Sequence, residues 1–190
     1  MITLRNVRTD DLDALHQIHQ ATSSNPNKTP QQWQLAYLKY VDYYPRFAFE
    51  TSFVACDEND KPLGYLLCES DADRFFKLMS EAYQEEMDAI VPGSFERFMN
   101  SQSFLQTFKD QYPAHLHIDL LPSAQNMHLG SKLMKQLIEE LKARNIPGVL
   151  LGVSKTRPQA IHFYKKHGFE VLEEEHSGYT MGLKLDESAK

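Results

Sequence analysis

The sequence predicts one mixed α/β domain built on a central sheet flanked by helices, and three observations predict it. Strand-like and helix-like segments follow one another in the order strand, helices, hairpin, helical insertion, strand, helix, strand, helix, strands, the pattern of a sheet covered by helices. Val149–Val153 is an unbroken apolar run, as expected of a strand buried on both faces. The composition is that of an ordinary globular chain, with 190 residues, 42% hydrophobic and 24% charged, enough for one full core.

Taken in order, Ile2–Val7 reads as a short strand. Thr9-Asp10-Asp11 then signals the start of a helix carrying Leu12, Leu15, Ile18 and His19 at helical spacing. Ser23–Pro30 is a polar, proline-bearing loop. Gln31–Tyr44 predicts a helix with Trp33, Tyr37, Tyr40 and Tyr44 along one side, a stripe that forms core or cleft wall more often than a cofactor box. Phe47–Cys56 and Pro62–Glu69, joined by the polar turn Asp57–Lys61, predict a β-hairpin. Over 71–112 the chain becomes a helical, acidic insertion holding Phe75, Phe76, Phe95, Phe98, Phe104 and Phe108, with a break at Pro92-Gly93. Ala114–Leu121 is the next strand. His128–Asn145 is an amphipathic helix with Leu129, Leu133, Leu137 and Leu141 on one stripe. Pro158–His167 is a short helix, and Gly168–Glu173 and Tyr179–Leu185 are closing strands. No repeat, low-complexity tract or linker divides the chain, so 1–190 reads as a single domain.

The formal net charge of −6 argues against a general nucleic-acid binder. The charge is uneven: residues 121–170 carry eight Lys/Arg against three acids, a local +5 in a chain that is −11 elsewhere. Such a block is either a polyanion site or a pair of solvated lysine-rich helix faces. Two cysteines, Cys56 and Cys68, are too few for a disulfide framework and are expected to be reduced. No apolar run is long enough to span a bilayer and the N-terminal residues have no signal-peptide core, so no membrane partner and a cytoplasmic location are expected.

The most informative stretch is His115–Leu133, where a strand ends at Pro122, a short turn follows and a helix opens near His128. Backbone N–H groups at a helix start lack intrahelical partners and sit at the positive end of the macrodipole, which makes a strand–turn–helix a natural pyrophosphate cradle. Gly130 permits close approach, Ser131 offers a hydroxyl, and Lys132 and Lys135 add charge.

Gln125-x-x-His128-x-Gly130-x-x-Leu133 resembles the acetyl-CoA motif of the GNAT N-acetyltransferase superfamily, Gln/Arg-x-x-Gly-x-Gly/Ala. Arg157-Pro158-Gln159-Ala160-Ile161-His162-Phe163-Tyr164-Lys165-Lys166-His167-Gly168-Phe169 resembles its later signature, Asn-x-x-Ala-x-x-Phe-Tyr-x-x-x-Gly-Phe. The hairpin and the opening Leu4-Arg5…Asp11 segment also fit, and the likeness covers nearly all of the chain outside Asp71–Asp110. A second likeness is to the acetyltransferase-like domain joined to O-GlcNAc hydrolases. The resemblance implies a mostly antiparallel central sheet and acetyl-CoA as cosubstrate. It implies that the cofactor is held by Leu120, Leu121, Gln125, Asn126, Met127, His128, Leu129, Gly130, Ser131, Lys132, Arg157, Phe163, Tyr164 and Lys166. Two positions depart from the family pattern: His128 stands where the first glycine is expected, and Arg157 where the asparagine is, from which a guanidinium can reach a phosphate.

Acetyl transfer needs a neutral amine, a stabilised oxyanion and a proton for the leaving thiolate. By resemblance Tyr164 is the acid, with a packed core aromatic as the competing reading, and a backbone N–H near Leu121 polarises the thioester carbonyl. His115, His117 and Asp119 alternate and so share one face of their strand. They are the candidate base set, or else a buried, hydrogen-bonded pair of histidines. The pair is similar to that of aralkylamine acetyltransferases, although one residue nearer the turn. Glu69 and Glu85 are further candidates. Metallo-hydrolases use a similar His-x-His-x-Asp run but add a histidine directly after the Asp, where Leu120 stands, so no metal is expected. The expected substrate is a primary amine of a small molecule or peptide, with a homodimer as one assembly the resemblance allows. The alternative is a non-catalytic domain that binds acyl-CoA or a partner.

Overall fold

The computed structural model describes residues 2–125 and 127–185. The chain runs β1 (Thr3–Asn6), α1 (Leu12–Thr22), α2 (Pro30–Tyr40), α3 (Tyr43–Phe47), β2 (Phe53–Cys56), β3 (Pro62–Glu69), α4 (Ala72–Ile90), α5 (Ser94–Ser101), α6 (Ser103–Phe108), β4 (Ala114–Leu120), α7 (Leu129–Ala143), β5 (Gly148–Ser154), α8 (Pro158–Lys166), β6 (Glu170–Glu174) and β7 (Gly178–Lys184). Seven strands form one sheet in the order β1-β2-β3-β4-β5-β7-β6, and every neighbouring pair is antiparallel except β4 and β5. The mixed, mostly antiparallel α/β architecture is the one expected.

Helices cover both faces. On one, Leu15 and Ile18 of α1, Tyr43 and Tyr44 of α3 and Phe75 and Met79 of α4 pack over Tyr65, Leu67 and Leu150. On the other, Leu133, Met134, Leu137 and Leu141 of α7 and Tyr164 of α8 pack over Leu66, Leu116, Val149 and Leu151. The insertion is anchored in the first core, since α4 buries Phe75, Met79, Tyr83 and Met87 along a single stripe. Its root is a buried carboxylate. Glu69 accepts from Tyr43 Oη at 2.5 Å, Arg74 Nη1 at 2.6 Å and the N–H groups of Ser70 and Asp71 at 2.7 and 3.0 Å.

Two expected elements are corrected. The single helix over 31–44 is two, broken at Val41, because Pro45 has no N–H for the carbonyl of Val41 and its ring would crowd it. The strand expected from Phe47 begins only at Phe53. Phe47 ends α3 and Phe49–Thr51 form a 3-10 turn. There the Asn6 side chain donates to the carbonyls of Phe49 and Glu50, and Thr51 Oγ1 donates to the Cys68 carbonyl at 2.6 Å. Side-chain bonds thus replace the ladder that the aromatic and β-branched residues suggest. Among the described residues no helix is long and apolar enough to cross a membrane.

Candidate active site

The site originates in the one parallel contact of the sheet. β4 and β5 each have seven residues, yet they pair only at Ala114–Val149 and His115–Leu150. Beyond that point β4 follows β3 as far as Leu120, β5 follows β7, and the two halves of the sheet diverge with its twist. The opening is a cleft through the middle of the sheet. Its inner part, about 290 Å³, is lined by His19, Tyr40, Tyr65, His117, Asp119, Arg157 and Tyr164. The middle part, about 410 Å³, adds Thr22, Leu120, Gln125, Gly130 and Phe163. An outer part of about 320 Å³ lies along the turn and is lined by His128, Leu129, Gly130, Ser131, Phe163 and Lys166.

The splay leaves backbone donors exposed to the cleft. The Leu121 N–H donates to the Leu63 carbonyl at 2.9 Å, so the oxyanion donor expected near Leu121 is not the Leu121 amide itself. In an antiparallel ladder successive residues aim their N–H groups to opposite sides. With Leu121 bonded to β3, Leu120 and Ile118 direct theirs toward β5, where no strand partner is registered among the described residues.

The turn is built as its chemistry requires. Pro122–Ala124 form a 3-10 turn after β4, and Gln125 spends its own N–H on Leu121 and Pro122. His128 caps α7 in the left-handed region, at φ 56° and ψ 19°. The first backbone bond of α7 is Lys132 N–H to the His128 carbonyl at 3.2 Å. Among the described residues nothing accepts from the N–H groups of Leu129, Gly130 or Ser131. These three donors belong to the first turn, at the positive end of a 15-residue helix. Gly130 is buried, and a β-carbon there would stand 3.3 Å from Leu120 and from Phe163. Leu129 is a core anchor, Met127 is exposed, and Lys132 is exposed and lines no part of the cleft. Asn126, expected at the same site, lies outside the described residues.

His115, His117 and Asp119 share the expected face but divide by depth. Asp119 lines the inner and middle cleft, accepts from Tyr65 Oη at 2.7 Å and stands 3.7 Å from His19 Nδ1. His117 is half-buried and reaches the inner cleft. Burial lowers it to about 4, with the Asp119 carboxylate pulling the other way, so it is neutral at pH 7. His115 lies behind it, 3% exposed, with Nε2 3.1 Å from Tyr44 Oη and Nδ1 without a partner among the described residues, and burial lowers it to about 3. It does not reach the cleft. Glu69 is consumed by the insertion root and Glu85 is exposed on α4; neither lines the cleft.

Tyr164 sits at the junction of the inner and middle parts, 8% exposed, its ring against Phe163 and Phe169. Burial first, then the Asp119 charge, raise its phenol. Arg157 does not line the outer cleft. Its Nη2 donates to the Thr22 carbonyl at 3.0 Å, clasping the start of α8 to the end of α1 beside Asp119. Sequence reasoning missed the roles of His19 and Tyr65. Their signal was present in position only: His19 closes the buried stripe of α1, and Tyr65 is the direct cross-strand partner of Asp119.

A family model described as the acetyltransferase (GNAT) family matches residues 12–169. An uncharacterized N-acetyltransferase of Methanocaldococcus jannaschii is 24% identical over 175 residues, 90% of this chain. The chain spans 62% of that relative's length. Among solved structures, SsHAT is similar with a TM-score of 0.76 and 26% identity, over 98% of this chain and 99% of the other. The PaiA N-acetyltransferase of Thermoplasma acidophilum, solved with coenzyme A, shares the fold at a TM-score of 0.60 and 13% identity, over 97% of this chain and 99% of the other.

Proposed function

The chain belongs to the acetyltransferase (GNAT) family, and from that premise we propose that it transfers an acetyl group from acetyl-CoA to a primary amine by direct attack within the β4–β5 cleft. The observation that carries this reading is the row of amides at Leu129, Gly130 and Ser131 that have no acceptor among the described residues, beside a cleft that runs inward to Tyr164 and Asp119. The diphosphate of the cofactor takes those amides, with Lys166 beside them. The thioester lies along the splayed edge of β4, where the Leu120 N–H polarises its carbonyl.

Asp119 holds the acceptor's amino group, its neutral form attacks the thioester carbon, and His117, neutral at working pH, takes the proton that the nitrogen sheds once the C–N bond has formed. An alkyl amine of pKa about 10 is only about a thousandth neutral at pH 7, a cost of about 4 kcal/mol that is met by loss of the proton to solvent before attack, since a histidine held at about 4 is too weak a base to take it. Tyr164 then protonates the leaving thiolate. The test is thiol release from acetyl-CoA across an amine panel, and acetyl transfer that depends on the amine is the expected result. Cofactor binding without turnover on any amine would leave a sensor domain instead.

The left-handed His128 yields a second prediction. That conformation costs an L-residue about 1–2 kcal/mol, and glycine recovers it while surrendering about 0.5–1 kcal/mol of unfolded-state entropy. His128→Gly should therefore shift stability upward by no more than about 1.5 kcal/mol and bind acetyl-CoA at least as tightly, as read by thermal melting and calorimetry. A tenfold loss of affinity, about 1.4 kcal/mol, would identify the imidazole as a ligand.

A further inference from the structure

Beside the inner cleft lies a side cavity of about 230 Å³ whose lining differs in charge from the rest. It shares His19, Tyr40, Asp119 and Arg157 with the inner cleft, and adds Ser23, Ser24 and Lys28 from the loop between α1 and α2. Lys28 Nζ lies 4.4 Å over the Trp33 ring and donates to Ser23 Oγ at 2.5 Å and the Asn25 carbonyl at 2.8 Å. Arg157 also lines the cavity, with Nη2 on the Thr22 carbonyl. Neither cation has a carboxylate within ion-pair distance among the described residues. Asp119, the one acid lining the cavity, is taken by Tyr65 and lies beside His19. Burial also lowers the Lys28 ammonium, as expected of a cation held without a counter-charge.

We propose that Lys28 and Arg157 form an oxyanion subsite, and that the acceptor is an amine carrying a carboxylate or phosphate close to its nitrogen. The inner cleft offers one carboxylate, Asp119, for the amine, and the side cavity that it shares offers two cations for the anion. A purely cationic acceptor would set its second charge against Lys28 and Arg157. This deepens the acetyltransferase reading and rests on it for the placement of the amine.

The experiment uses twin ligands that differ only in the anion: phenylalanine against phenethylamine, and O-phosphoethanolamine against ethanolamine. Trp33, the only tryptophan of the chain, reports on the site through its fluorescence because Lys28 covers its ring. At equilibrium, one anion-bearing twin should bind about ten- to a hundredfold more tightly than its partner, the effect of a charge-assisted hydrogen bond. The pair that shows the preference separates carboxylate from phosphate. Lys28→Gln and Arg157→Gln should each remove most of the preference, and Lys28→Arg should restore it. Equal binding of both twins in both pairs, binding of none of the four, or a preference untouched by Lys28→Gln overturns the proposal. If the preference is present but acetyl-CoA acetylates neither twin, the subsite stands and the acetyltransferase reading fails.

Discussion

Tyr164→Phe should lower kcat by about a hundredfold or more, the usual contribution of a positioned proton donor, and leave the affinity for acetyl-CoA within about twofold, well under 1 kcal/mol. The split follows from the geometry. The ring is packed against Phe163 and Phe169, and phenylalanine keeps that packing. The hydroxyl has no hydrogen-bond partner among the described residues, so its removal strands no buried group. Its one remaining role is toward whatever occupies the cleft that it lines. Burial and the Asp119 charge raise the phenol while Arg157 opposes them, so the proton stays on through neutral and alkaline pH. The acidic limb of the wild-type rate profile should therefore survive unchanged in the variant. Equal losses in kcat and cofactor affinity, with a lowered melting temperature, would show that the ring only packs.

The second large effect concerns stability. Glu69→Leu removes a buried carboxylate that satisfies Tyr43, Arg74 and two backbone N–H groups at once. Arg74 is 45% exposed in its side chain and can turn to water, but Tyr43 is fully buried and cannot. Stranding buried donors and half of an ion pair costs about 3–5 kcal/mol, which lowers the melting temperature of a chain of this size by about 10 °C. Below that temperature kcat should be unchanged, since Glu69 lines no part of the cleft. A loss of activity without a loss of stability would return Glu69 to the list of bases.

The fold was legible because its elements announce themselves at the right periods. The apolar run Val149–Val153, the leucine stripe of α7 and the hairpin strand Pro62–Glu69 all fall where the pattern places them, to within a residue or two. The segment 41–52 was not legible, since there Pro45 and the side chains of Asn6, Thr51 and Ser52 decide the path, and their partners lie far away in sequence. For the site, the alternation of His115, His117 and Asp119 placed them on one face, but not which of them reaches the cleft. That depends on Tyr44 of α3 covering His115. Leu121 illustrates the same gap: its amide is spent on Leu63, a register fact that no local pattern carries. Arg157 illustrates it again, because its clasp on Thr22 joins segments 135 residues apart.

The decisive measurement is an amide proton–nitrogen spectrum of labelled protein titrated with coenzyme A. Anchoring of the diphosphate by the opening turn of α7 predicts that the largest shifts fall on the amides of Leu129, Gly130 and Ser131, saturating with a single affinity. Shifts that leave those three in place, or that gather elsewhere on the surface, would contradict it.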